Sequence, residues 1–351
     1  MSRNIKYYQA INEAIDICMQ RDASVYIMGL GVSDPKGIFG STLGLLEKYG
    51  SLRVMDMPAS ENGMTGIAIG TAITGMRPIM THQRVDFVLL AMEQIVNQAA
   101  KWNYMFGGQR SVPLVIRMII GQGWGQGPHH AQSLQAWFAH IPGLKVVMPT
   151  TPYDVKGLLI SSIEDNNPVI FIEHRWLYNI SGPVPEEYYK VPIGVPRIAR
   201  EGSDLTIVAT SYMTLEALKA AAVLEKEGIQ TEVIDVRTLR PLDYTMIFES
   251  VRKTGRLIVA DTGWKSLGFS AEVIAQVAEE ALQDLKIPPK RVALPETPSP
   301  TTFALANHYF PRAKNILTAV KEMGLKISDH LFDDELQIPL DVPDKGFTGP
   351  F

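Results

Sequence analysis

A single cysteine, Cys18, stands in 351 residues, so internal disulfides and a cysteine-built metal centre are excluded. Long apolar runs are missing too: none approaches the roughly 20 residues that span a bilayer, and residues 1–8 hold no signal-type apolar core. No basic tract occurs and the formal net charge is -4, which argues against nucleic acid as a partner. These absences lead to the expectation of a soluble cytoplasmic protein with no membrane segment. A dinucleotide fingerprint is incomplete as well. Gly29 and Gly31 follow an apolar strand-like run, but the third glycine falls at position 34, where Asp34 stands.

What is present centres on residues 53–78. A short apolar run from Val54 to Met57 stops at Pro58, and Ser60 then opens a segment that reads as a helix entered at Glu61. Gly63, Gly66, Gly70 and Gly75 interrupt it. Each costs about 1 kcal/mol of helix propensity relative to alanine, so the pattern predicts close packing against backbone, cofactor or partner chain. A carboxylate at a helix start also has a plain reading as a cap favoured by the helix dipole.

Periodicity orders the rest. Tyr7 to Arg21 places Ile11, Ala14, Ile15, Cys18 and Met19 on one helical stripe. Residues 25–31 and 78–81 read as strands, and Asp86 caps an expected helix 87–105 with Leu90, Ala91, Ile95 and Ala99 inward. Strand 112–120 leads into a glycine-rich loop, 121–132, holding His129 and His130. Helix 133–140, strand 144–148, helix 151–165 and strand 169–173 complete an alternation that predicts a mainly parallel α/β sheet.

Proline enrichment from Pro183 to Pro196 breaks the period, giving expected boundaries of 1–185 for the first domain, 186–202 for a linker and 203–326 for a second α/β domain. The second carries expected strands 205–210, 231–236 and 256–260 and helices 214–227, 244–253 and 271–285. An extension, 327–351, is either disordered or an arm on a partner, anchored by Leu331, Phe332, Leu336, Ile338 and Phe351.

Several blocks occur in a telling order. Arg53, Val54, Asp56 and Pro58 precede Glu61; Ala99 to Lys101, Gly107 to Gln109, Ile141 to Val147, and Phe171 to His174 with Leu177 and Tyr178 follow; Arg237 to Asp243 and Gly268 to Glu272 close the series. Through these blocks the chain, up to its extension, resembles the beta subunit of the thiamine-diphosphate-dependent 2-oxo-acid dehydrogenases, the family of pyruvate and branched-chain 2-oxo-acid dehydrogenases. The resemblance implies a pyrimidine-binding domain and a transketolase C-terminal-like domain, each a mainly parallel sheet flanked by helices.

The same resemblance implies roles. Glu61 would bond the pyrimidine ring nitrogen opposite the amino group, favouring the imino form that removes the thiazolium proton. Phe87 would stack on the pyrimidine, against an ordinary core position. Gln83 joins the cofactor-binding candidates; Gln83 and Arg84 differ from the usual family residues, which makes Arg84, with His129, a substrate-pocket candidate. His130 matches a histidine that orients substrate or the lipoyl group, against a solvated loop histidine. Asp165 and Asn167 match a turn that holds structural potassium, against an Asx turn without metal.

A Gly-Asp-Gly motif is absent. In relatives that motif, on the alpha subunit, holds the diphosphate through magnesium, so the resemblance implies half an active site completed by an alpha chain in an α2β2 heterotetramer. The activity implied is decarboxylation of a 2-oxo acid with acyl transfer to a lipoyl-bearing acyltransferase. Carbon-carbon ligation or non-oxidative acyl transfer on the same cofactor is an alternative, motivated by Gln83, Arg84, His129 and Ala131. A non-catalytic scaffold or regulatory subunit is another, against which the joint presence of Glu61, Phe87 and His130 weighs.

Overall fold

The structure, a computed structural model, describes residues 2–122, 126–328, 340–344 and 347. The expected anchors of the extension, from Leu331 to Phe351, lie outside the described residues. Two compact units form, one from residues 1–120, 137–193 and 239–241, the other from 121–136, 194–238 and 242–351. The division at Ile193 and Gly194 falls inside the expected linker. That linker is not featureless, since Arg197–Arg200 is an antiparallel edge strand of the second unit's sheet. Just before it, the proline-bearing Ser181–Pro185 pairs with Ser2–Lys6 in a two-stranded ribbon, whose open edges accept proline.

The first unit is built on a sheet ordered Thr238–Arg240, Lys145–Val147, Val169–His174, Val115–Ile120, Arg77–His82, Val25–Met28 and Val54–Met55. Every pairing from Lys145–Val147 onward is parallel. Val25–Met28, Val115–Ile120 and Val169–His174 are buried at each position, as a parallel sheet covered on both faces requires. Helix Tyr7–Arg21 buries the predicted stripe. Burial pushes the Cys18 thiol up to about 12, which leaves it an inert core group.

Strand order places the ligand crevice. The chain leaves Val25–Met28 for Val54–Met55 on one side, then crosses back through helix Glu61–Ile73 to Arg77–His82 on the other. Connections therefore diverge between Val25–Met28 and Arg77–His82, and α/β sheets take ligands beyond the carboxyl ends at such a point.

Two expectations need correction here. The helical stretch expected over 87–105 starts at Val85 with Arg84 at the N-cap position, so Asp86 lies inside the first turn. Leu89–Ala91 is a 3-10 turn and Gln94–Ala99 a π turn. Ala91, Ile95 and Ala99 are buried, but Leu90 is 63 % exposed. Tightening and then widening the helix changes the rotation per residue, which a straight 3.6-residue template does not follow. Of the neighbours expected for the glycines of Glu61–Ile73, this chain's backbone is not one: a Cβ would meet only Ser60 Oγ at 3.3 Å at Gly63, the Gln94 side chain from 3.4 Å at Gly66, and nothing within 4 Å at Gly70.

Gly143 is different. Its φ is +98° and a Cβ there would lie 1.9 Å from the Ala100 carbonyl oxygen. Gly143→Ala is expected to destabilise the first unit by about 2–4 kcal/mol, combining backbone strain with the clash. Gly75→Ala, at φ +105° in open space, isolates the strain alone and should cost less in the same urea titration.

The second unit has a sheet ordered Lys290–Leu294, Leu257–Trp264, Leu205–Ala209, Thr231–Asp235 and Arg197–Arg200. Helices Tyr212–Lys226 and Ala313–Glu322 supply Ala217, Ala221, Leu224, Ile316 and Val320 to the core formed with Leu205, Ile207, Val233 and Ile258. Ala313–Glu322 and Lys290–Leu294 escape the sequence reading. The helix is nevertheless legible, since Ala313, Ile316, Leu317 and Val320 fall at the i, i+3, i+4, i+7 spacing of an amphipathic helix.

Candidate active site

Glu61 opens helix Glu61–Ile73, which crosses from Val54–Met55 to the parallel strand Arg77–His82 on the other side of Val25–Met28 and so starts at the sheet's carboxyl edge. Ser60 makes no side-chain capping bond to it. Glu61 is only 5 % exposed, and among the described residues its carboxylate takes part in no hydrogen bond or ion pair. A buried carboxyl group without a partner is unfavourable, so this acid suits a group bound from outside the chain. A ring nitrogen fits that requirement; among the described residues no cluster of three His, Cys, Asp or Glu side chains offers a metal centre.

The crevice beside Glu61's sheet is stitched across its top. Gln83 Nε2 donates to Leu30 O at 2.9 Å, and Gly31 N donates to Asp56 Oδ1 at 2.9 Å. Gly31 has φ +78°, and a Cβ there would lie 2.7 Å from Gln83 Nε2, so glycine is needed for this closure. One amide hydrogen of Gln83 is thereby committed to the scaffold. Phe87 is half-buried in the short helix Val85–Val88.

Arg84 is buried, with its guanidinium 5.5 Å from the Phe39 ring centroid, and Arg175 reaches the same ring at 4.5 Å. Burial, then the neighbouring Arg175, hold Arg84 down at about 10, still charged at neutral pH. Phe39 itself has φ +49°, a strained conformation for an aromatic residue. Two guanidinium groups around one ring make this part of the unit suited to an anion. Neither Phe39 nor Arg175 carries a signal in the sequence that singles it out.

His82 ends strand Arg77–His82 and is 2 % exposed. Burial pulls its imidazole from 6.5 down to about 4, so it is neutral at physiological pH. As pH falls below 6.5 the unfolded chain takes up this proton while the folded chain does not until about 4, so stability declines across that window. The total loss is about 3 kcal/mol. Urea unfolding followed from neutral pH to about pH 4 should show it, and His82→Leu should remove that part of the acid sensitivity.

Residues 121–136 cluster with the second unit, so His129 and His130 are described there, separately from Glu61, Gln83, Arg84 and Phe87. Residues 123–125 of this loop lie outside the described residues. His129 is exposed in a turn, with its carbonyl accepting from Gln132 Nε2 at 3.0 Å; His130 is half-buried. The loop's far end is fixed by Gln135, whose Nε2 donates to Asp261 Oδ1 at 2.9 Å, while Thr210 Oγ1 donates to the same oxygen at 3.0 Å. Burial raises the Asp261 carboxyl pKa. Nothing in the sequence reading marks Gln135, Thr210 or Asp261; their only signal is that Thr210 and Asp261 fall at the carboxyl ends of adjacent parallel strands.

Asp165 and Asn167 close an Asx turn, with Asn167 N donating to Asp165 Oδ1 at 2.9 Å. Asp165 Oδ2 ion-pairs with Lys145, Asp165 O accepts from Arg77 Nη1 at 3.1 Å, and Asn166 Oδ1 accepts from Arg77 Nη2 at 2.7 Å. Two protein cations therefore engage Asp165 and Asn166, and a further cation beside Asp165 would meet their charge. A cavity of about 600 Å³ lined by Lys101, Tyr104, Lys145, Asn167 and Arg240 adjoins this turn, and Glu61, Gln83, Arg84 and Phe87 take no part in it.

The architecture and these residues define a two-domain, transketolase-like protein. The transketolase pyrimidine binding domain matches residues 3–181 and the transketolase C-terminal domain residues 194–316. The chain belongs to this family, within the group that holds the beta subunits of the thiamine-diphosphate-dependent 2-oxo-acid dehydrogenases.

It is 46 % identical over 332 residues to the acetoin:2,6-dichlorophenolindophenol oxidoreductase subunit beta of Cupriavidus necator, covering 92 % of this chain and 98 % of that one. It is 41 % identical over 314 residues to the pyruvate dehydrogenase E1 component subunit beta of Staphylococcus epidermidis, covering 89 % and 96 %. A split gene transketolase, solved as an inactive beta4 tetramer, shares the fold at a TM-score of 0.74 and 23 % identity, covering 91 % of this chain and 98 % of that one. Among the described residues no helix is long and apolar enough to cross a membrane.

Proposed function

We propose that this chain is the beta subunit of a thiamine-diphosphate-dependent enzyme that decarboxylates a 2-oxo acid and passes the acyl group to a lipoyl carrier. The observation that carries the reading is Glu61, a buried residue with no hydrogen bond or ion pair among the described residues, at the helix start on the carboxyl edge of a pyrimidine-binding domain. When bound, the cofactor supplies the electron sink for decarboxylation. Glu61 holds a proton at the pyrimidine ring nitrogen, and Phe87 bears on the ring face. Arg84, with Arg175, draws the anionic substrate toward the crevice, and His130 orients substrate or the acyl acceptor. His129 stands beside it as a pocket residue.

The missing Gly-Asp-Gly motif assigns magnesium and the diphosphate to an alpha subunit, in an α2β2 assembly. No potassium is assigned to the 165–167 turn, because Lys145 and Arg77 already engage its oxygens. One observation favours a second reading: two relatives, at 46 % and 41 % identity, are named for acetoin rather than pyruvate, which points to a 2-hydroxyketone substrate.

The test is to purify the chain with its alpha partner, add thiamine diphosphate and magnesium, and follow dye reduction with a panel of 2-oxo acids and acetoin. Cofactor-dependent turnover that needs both subunits is the expected result. Oxidation of acetoin alone selects the second reading, a condensed product with no dye reduction selects ligation, and no reaction with any substrate leaves a scaffold.

A further inference from the structure

Glu61 is not alone at its level of the fold. Thr65, one helical turn further on, donates from Oγ1 to Met80 Sδ at 3.7 Å, which fixes the helix face against strand Arg77–His82. Residues four apart share a helix face, and residues two apart share a strand face. Glu61 therefore lies on the Thr65 side of the helix, and His82 on the Met80 side of the strand.

The helix runs antiparallel to the strand, so stepping back from Thr65 and forward from Met80 moves both toward the carboxyl edge. The steps are roughly 6 Å along the helix and roughly 7 Å along the strand, which brings Glu61 and His82 to the same height on facing elements. No hydrogen bond or ion pair joins them among the described residues. His82 Nε2 is fully buried and has no hydrogen-bond partner among the described residues. Among the described residues, His82 Nε2 is thus left unsatisfied on the strand face that meets the Glu61 end of the helix.

We infer that His82 is a second contact of the molecule that Glu61 binds, with Nε2 meeting a polar atom on the edge of a neutral heteroaromatic ring of the aminopyrimidine class. This rests on the reading of Glu61 given above. The charge pattern separates the ring from the acid it acts on. Glu61 and the neutral His82 suit a ring that carries both donor and acceptor atoms, whereas the positive charge needed for a carboxylate lies with Arg84 and Arg175. A purely packing role predicts an apolar side chain here, because an unbonded buried nitrogen costs free energy that leucine or phenylalanine avoids.

That contrast supplies the test. In the complex with the alpha subunit, stripped of cofactor, His82→Leu should keep or raise the thermal midpoint, since it removes the unsatisfied nitrogen. Calorimetric titration with thiamine diphosphate and magnesium should nevertheless show affinity weakened by roughly tenfold or more, the worth of a lost hydrogen bond. His82→Gln, which restores a polar atom, should recover much of that loss. Unchanged affinity in His82→Leu overturns the inference, as does a loss that tracks a lowered apo midpoint and is not rescued by glutamine. Failure of both variants to fold makes His82 a core residue and overturns it too. Glu61→Ala is titrated in parallel: normal affinity and turnover there remove the reading of Glu61 itself, whereas defects confined to Glu61→Ala leave that reading intact and remove only His82.

Discussion

Glu61→Gln is expected to lower turnover of the assembled enzyme by about 10²–10⁴-fold, the range a positioned acid or base contributes. Glutamine keeps the length and a hydrogen-bonding head but cannot hold and release the proton. Because Glu61 has no hydrogen bond or ion pair among the described residues, the substitution breaks none of the contacts described for the isolated fold. Glutamine is close to glutamate in size, so the thermal midpoint should hold while activity falls. Steady-state kinetics of the complex and a thermal scan of the same preparation decide the matter. Retained turnover would remove Glu61 from the chemistry, and a fall in midpoint matching the fall in activity would reduce it to a structural acid.

Legibility of this molecule from its sequence follows from how each feature is encoded. The stripe of Tyr7–Arg21 and the apolar strands Val115–Ile120 and Val169–His174 are periodic and local, so they are read directly. Glu61 is legible as a helix start, and its burial is what turns a cap into a candidate acid. Leu90 is misread because helix Val85 onward changes pitch, a property set by packing rather than by composition. Arg84 is singled out in the sequence, but its grouping with Phe39 and Arg175 is not, since the three lie far apart along the chain and meet only in the fold. Asp165 is the opposite case: the residues suit a cation, and the structure adds that Lys145 and Arg77 stand against the same residue.

The largest stability effect is expected at the ion pair of Arg117 and Glu173, a pair that the sequence marks only through the family block at residues 171–174. Both side chains are at most 1 % exposed, with Nε to Oε1 at 2.6 Å and Nη2 to Oε2 at 3.0 Å. Tyr178 donates to the same carboxylate, and Arg117 Nη2 also reaches Ser41 Oγ at 3.1 Å. Glu173→Leu leaves a buried guanidinium without its counter-charge, and should destabilise the first unit by about 3–5 kcal/mol. Arg117→Met should cost a similar amount by stranding the carboxylate. Joining them as Arg117→Met with Glu173→Leu removes both charges from the same place, so most of the loss should be recovered. Urea unfolding of the four proteins forms a double-mutant cycle whose coupling energy measures the pair. Two single losses that simply add in the double variant would show that Arg117 and Glu173 stabilise the sheet through packing, not through each other.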